Sequence, residues 1–155
     1  MKFSNPMIVV SNMEKSKKFY YKVLGLEVVV DFGVNVTLTG GIALQTKDTW
    51  LSFICKQNEE IVFGGNVAEL YFEEDDFDSF IQKLNTISDI NYVHPMIEHS
   101  WGQRVIRFYD PDKHIIEVGE NIVTVVERFL NSGLSIEETA IRMDVPVDYI
   151  ESCLK

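Results

Sequence analysis

The run NMEKSKKFYYKVLGLEV (Asn12–Val28) decides the reading of the fold. Asn12 is suited to cap a helix, and Phe19, Tyr20, Val23 and Leu24 fall on one helical face. Gly25 suits the left-handed end of that helix, and the chain then opens a strand. The same plan starts again at Asp76. There DDFDSFIQKL (Asp75–Leu84) places Phe77, Phe80, Ile81 and Leu84 at i, i+3, i+4 and i+7.

Working outward, each helix is preceded by one short strand and followed by three. Met7–Val10 precedes the first, and LEVVVDF, VNVTLT and IALQT follow it, with Gly40–Gly41 as a hairpin turn. KDTWLSFI then reads as a short helix or a lid. AELYF precedes the second helix, and NYVHPMIE, QRVIRFYD and HIIEVGE follow it. The predicted class is α+β, with paired βαβββ modules at about residues 3–47 and 66–120 inside a domain of residues 1–121. The two caps also set a register. Asn5 lies seven residues before Asn12 and Glu69 seven before Asp76, so Asn5 and Glu69 are equivalent positions.

The segment RFYDPDKHIIEVGE (Arg107–Glu120) carries the chemistry. Asp110–Lys113 reads as a turn, because proline pre-sets its second position and aspartate bonds local amides. In the strand that follows, Ile115, Glu117 and Gly119 share one face, while His114, Ile116 and Val118 share the other. A carboxylate in a strand covered on both faces needs a partner; on an edge strand it can stay in water.

Composition bounds the rest. The chain has 155 residues, is 46% hydrophobic and carries a formal charge of -10. Such acidity opposes nucleic-acid binding, which relies on Lys and Arg neutralising phosphates, and it would not repel a cationic ligand. No apolar run reaches the roughly 18 residues of a membrane span, and the N-terminus lacks the pattern of a signal peptide. Cys55 and Cys153 fit no metal spacing, so a reduced, cytoplasmic protein is expected.

Residues 122–155 switch to helical periodicity. Gly133 ends one helix, Ser135 and Glu138 form a capping box for the next, and Pro146 suits the first turn of a third. LSIEETAIRMDVPVDYI loosely resembles a helix-turn-helix. The tail nevertheless holds only Arg128, Arg142 and Lys155 against six acidic residues, whereas a DNA reader needs a basic face. A helical appendage that covers a site or supports a dimer is the expectation.

The stretches NMEKSKKFYYKVLGLEV and WGQRVIRFYDPDKHIIEV, with the doubled βαβββ pattern, resemble the glyoxalase/bleomycin-resistance/extradiol dioxygenase superfamily, also called the vicinal oxygen chelate family. The resemblance spans about residues 3–120. It implies two modules facing each other as a cup, a small-molecule ligand and a homodimer. In metal-dependent members four ligands line the cup. By position these fall on Asn5, near Ala43, on Glu69 and on Glu117, with Gln45 on Ala43's face as a substitute. A divalent metal (manganese, nickel, zinc or iron) is thereby implied. The set is poor in imidazole, and it is equally compatible with a metal-free site where Glu69 and Glu117 meet the ligand directly.

Other candidates lie in EHSWGQR. His99 suits a ligand or base, or is a loop histidine; Trp101 stacks on a ligand or fills core; Arg104 holds an anionic group or is a solvated strand charge. His94 and His114 read as structural or exposed. Three functions follow from the resemblance. One is a glyoxalase-like lyase or dioxygenase-type enzyme with Glu117 or Glu69 as ligand or base, and His99 beside them. Another is a non-catalytic, drug-sequestering binder of the bleomycin-resistance kind. The third is a ligand-sensing regulator with the tail as its output.

Overall fold

The protein is described by a computed structural model covering residues 1–155. Its chain forms two compact units. The first comprises residues 1–67 together with the turn 110–114, and the second comprises residues 68–109 and 115–155. The α+β class and the two βαβββ modules are as expected.

The first unit holds β1 (Met7–Val10), α1 (Met13–Leu24), β2 (Val28–Asp31), β3 (Asn35–Leu38), β4 (Ala43–Thr46) and α2 (Lys47–Ile54). The sheet order is β1-β4-β3-β2, with β1 parallel to β4 and the other pairs antiparallel. Asn12 caps α1 by accepting from the Lys15 amide at 2.9 Å, and Gly25 ends it with φ at 71°. Val10, Tyr20, Val23, Val36, Leu38 and Leu44 are buried. Each contributes about 1.5–3 kcal/mol by leaving water.

The turn Asp110–His114 is fixed in this unit by one buried carboxylate. Asp110 Oδ2 accepts from the Tyr20 hydroxyl and from His114 Nδ1, both at 2.9 Å. Its Oδ1 accepts the amides of Asp112 (2.9 Å) and His114 (2.8 Å). Asp112 Oδ2 in turn accepts the Ser11 amide at 3.1 Å. His114 is thus structural, as its place beside the turn suggested.

The second unit repeats the plan with β5 (Glu69–Glu74), α3 (Phe77–Asn85), β6 (Asn91–Glu98), β7 (Arg104–Tyr109) and β8 (Ile115–Glu120), in the order β5-β8-β7-β6. Asp76 caps α3 by accepting from the Ser79 amide. The registers can be set beside the equivalence read from the caps. Met7 pairs with Ala43 in the first sheet, and Tyr71 pairs with Glu117 in the second. Ala43 and Glu117 therefore occupy the same position of their modules, two residues beyond the level of Asn5 and Glu69.

β8 is an interior strand, between β5 and β7, so Glu117 is not on an edge. Phe77, Phe80, Leu84, Ile106, Phe108, Ile116 and Val118 are buried. Arg104 shares the strand face of Ile106 and Phe108, and its guanidinium lies 5.2 Å from the Phe77 ring centroid.

Three helices follow: α4 (Ile122–Asn131), α5 (Ile136–Met143) and α6 (Val147–Cys153). The Ser135–Glu138 capping box is present, and Pro146 is the N-cap of α6 rather than its first helical residue. Val125, Val126, Phe129, Ala140, Met143 and Ile150 form a separate apolar core for these helices. No helix is long and apolar enough to cross a membrane.

Candidate functional site

One face of the second sheet carries a connected group of ionisable side chains. Strand alternation puts Glu69, Tyr71 and Glu73 of β5 on the same face as Glu117 and Gly119 of β8 and Arg107 of β7. Arg107 is the cross-strand partner of Glu117. It is also the centre of the group. Its Nε donates to Glu69 Oε2 at 3.0 Å, its Nη2 pairs with Glu117, and its Nη1 lies 3.3 Å from His94 Nε2. One planar fork therefore serves three residues from three strands.

Glu117 is 5% exposed, and a carboxylate at that depth is costly without a cation beside it. Arg107 supplies the partner that the strand pattern required. Sequence reasoning did not assign Arg107, although the hairpin contained the signal. The turn joins Tyr109 to Ile115 as partners, so two residues back and two residues on must also face each other.

His94 reaches this face through a β-bulge. Tyr92 pairs with Phe108, but the register then shifts and His94, rather than Val93, pairs with Arg107. Because arginine only donates, His94 Nε2 accepts, and Nδ1 carries the proton toward the Pro95 carbonyl at 2.7 Å. His94, expected to be structural or exposed, is half-buried, and the bulge aims it at Arg107.

At the margin of the face, His99 and Trp101 stack, with ring centroids 4.1 Å apart and planes 17° from parallel. The Trp101 indole donates to Gln103 Oε1 at 3.2 Å. Gln103 Nε2 donates to the Tyr71 hydroxyl at 2.9 Å and to the Glu120 carbonyl at 2.8 Å. Gly119 makes room for this arrangement. A Cβ there would come 3.0 Å from Gln103 Nε2 and 3.1 Å from the Tyr71 ring. Trp101 stays 37% exposed and Tyr71 48%, so both offer aromatic surface to solvent.

Burial, then the charge on Arg107, then His94, hold His99 below the ordinary value of 6.5. A proton-detected titration should find His99 neutral at pH 7, with its midpoint below 6.5. The unfolded chain binds that proton at higher pH than the folded chain. Its contribution to stability therefore declines as pH falls through the window just below 6.5, and levels off under the folded midpoint. Arg107→Met should move the midpoint upward, and an unmoved midpoint would remove the coupling.

The remaining candidates are placed elsewhere. Arg104 is on the opposite face, bonded to Glu120 at 2.9 Å and Asp78 at 2.7 Å. Burial opposes ionisation of Glu120, but hydrogen bonds from Arg104 and Arg128 outweigh it and hold the carboxyl below its usual range. In the first unit Gln45 is 1% exposed, and its amide is committed to Asn35 (2.8 Å) and the Val34 carbonyl (3.0 Å). Asn5 lies before β1 and bonds only the carbonyl of its neighbour Pro6, at 3.3 Å. No three or more His, Cys, Asp or Glu side chains converge in a metal-binding arrangement.

No curated protein matches the chain. A protein of unknown function from Agrobacterium tumefaciens str. C58 is 38% identical, over 78% of this chain and 94% of its own, with a TM-score of 0.71. A glyoxalase/bleomycin resistance protein/dioxygenase family enzyme from Burkholderia phytofirmans PsJN shares the fold at 14% identity, covering 76% and 96%, with a TM-score of 0.65. A lactoylglutathione lyase from Agrobacterium tumefaciens does so at 21% identity, covering 79% and 95%, with a TM-score of 0.58. The Glyoxalase-like domain family matches residues 3–123, through both modules and up to the start of α4, and the chain belongs to that family.

Proposed function

We propose that this chain binds a small molecule on the Arg107 face of its second sheet without a resident metal ion. The observation that carries the reading is the single guanidinium paired to both Glu69 and Glu117. By the resemblance, the ligand positions of metal-dependent members fall on Asn5, near Ala43, on Glu69 and on Glu117. Ala43 has no donor atom, and Gln45, the possible substitute, has already committed its amide. The two carboxylates are already neutralised in part by Arg107. Both carboxylates already accept from Arg107, so an ion could bind them only by displacing the guanidinium. A set so poor in imidazole does not offset that, and the residues do not fit the ion.

What the face offers a ligand supports a binder. Trp101 and Tyr71 present exposed rings, and three carboxylates (Glu69, Glu73 and Glu117) stand against one guanidinium. The complementary ligand is a planar aromatic cation, stacked on Trp101 and steered by the acidic surroundings.

The test is thermal unfolding with a panel of planar aromatic cations and their neutral isosteres. A cation present at a hundredfold excess over its Kd should stabilise the fold by about 2.7 kcal/mol. The gain should saturate, disappear in Trp101→Ala, and leave the ligand chemically unchanged. Equal stabilisation by the neutral isosteres, or none by any cation, would overturn the charge argument. Turnover of the ligand would replace the binder with an enzyme.

A further inference from the structure

We propose that helices α4–α6 are a clamp that fixes the β6–β7 loop, with Arg128, Phe129 and Arg142 as positioning residues for the His99–Trp101 pair. The loop lies between Glu98 at the end of β6 and Arg104 at the start of β7. Both carbonyls that flank Trp101 in sequence are taken by the tail. Arg142 Nη1 donates to the Ser100 carbonyl, and Arg128 Nη2 donates to the Gly102 carbonyl at 2.5 Å. Each arginine is anchored a second time, Arg142 to Glu98 at 3.7 Å and Arg128 to Glu120 at 3.1 Å.

Between them sits Phe129. Both guanidinium carbons lie 5.2 Å from its ring centroid. The ring also presses on Gly102, where a Cβ would come within 2.2 Å of Cζ. Gly102 has φ at 91°, a conformation that glycine adopts without strain. The loop has its own closure as well, since the His99 amide donates to the Gln103 carbonyl at 2.9 Å and the Gly102 amide to the His99 carbonyl at 2.8 Å. A short, tight loop held at the carbonyls on either side of Trp101 and wedged by a ring has few alternatives to one conformation.

The clamp can act as a body because the three helices share a core that includes Phe129 itself. Two of the three cations in the tail are spent on this loop, which leaves little positive charge for nucleic acid. The family match ends at residue 123, so the clamp is an addition to the shared fold. Its functional consequence rests on the Arg107 face being the ligand site.

The test needs no ligand, so it fails or stands apart from that reading. In full-length protein carrying Trp50→Phe, Trp101 is the single tryptophan. Acrylamide quenching of its fluorescence should rise about twofold in Arg142→Ala, as the loop opens locally while the melting of the sheets is retained. Arg142→Lys, which keeps a donor but loses the fork, should recover part of the protection. Phe129→Leu removes the ring from Gly102 and should also raise quenching; it decides the matter if Arg142→Ala does not fold. Quenching in Arg142→Ala and Phe129→Leu equal to the parent, with the tail helices still formed, would overturn the clamp.

Discussion

Asp110→Ala should cost more than about 4 kcal/mol of unfolding free energy, the largest loss expected from any single substitution here. The carboxylate is 4% exposed and accepts four hydrogen bonds, from Tyr20, Asp112 and twice from His114. Alanine would leave the buried Tyr20 hydroxyl and two turn amides without partners, at about 1–3 kcal/mol each. Tyr20→Phe removes one bond and should cost about 1–2 kcal/mol. The double variant should lose much less than the two single losses added, because both act on one bond. Urea unfolding of the four proteins reads this directly, and full additivity would show that the Tyr20–Asp110 bond contributes nothing. Alkali gives a further check. Burial first, then the Asp110 charge, push the Tyr20 phenol far above its ordinary value of 10.0. The folded phenol stays protonated where the unfolded one ionises. This part of the stability should therefore be lost as pH rises through about 10.

Arg107→Ala should cost about 3 kcal/mol, because it strands the Glu117 carboxylate at depth without its cation. Glu69 is more exposed and can turn to water, so Glu117 dominates the loss. The mechanism is uncompensated buried charge, which sets a second expectation. Arg107→Met combined with Glu117→Leu removes both charges and should lie much closer to the parent than either single variant. Urea midpoints measured at low and high salt separate the cases, since a buried pair is screened far less than a surface one. A single Arg107→Ala variant as stable as the parent would mean that the pair is solvated in solution.

Much of the fold was legible because local signals agreed. Asn12, Gly25 and Asp76 each mark a helix end, and between them the apolar spacing switches from helix to strand. The same caps align Asn5 with Glu69, and the sheet registers pair Met7 with Ala43 and Tyr71 with Glu117. The site was legible only in outline. Glu117 announced itself as a carboxylate in need of a partner, but Arg107 was passed over even though hairpin pairing put it directly across. His94 could not have been found, because a one-residue bulge before it, followed by a second shift before Ile97, turns it toward Arg107 and leaves no mark in composition. Arg104, open between an anion-holding and a strand-charge role, is placed by plain strand alternation. Its even-numbered place on β7 turns it toward Phe77, Asp78 and Glu120, away from Glu117. The helices of the tail were readable from their caps. Its grip on the loop was not, since arginine-to-carbonyl bonds between distant segments follow no spacing rule.

The most direct test of the account is calorimetric titration of the chelator-stripped protein with manganese, nickel, zinc and iron(II). With Arg107 holding Glu69 and Glu117, no ion should bind near one equivalent in a manner that depends on Glu117. Tight binding near one equivalent that vanishes in Glu117→Ala would contradict the account, because it would mean that a metal displaces the guanidinium from both carboxylates.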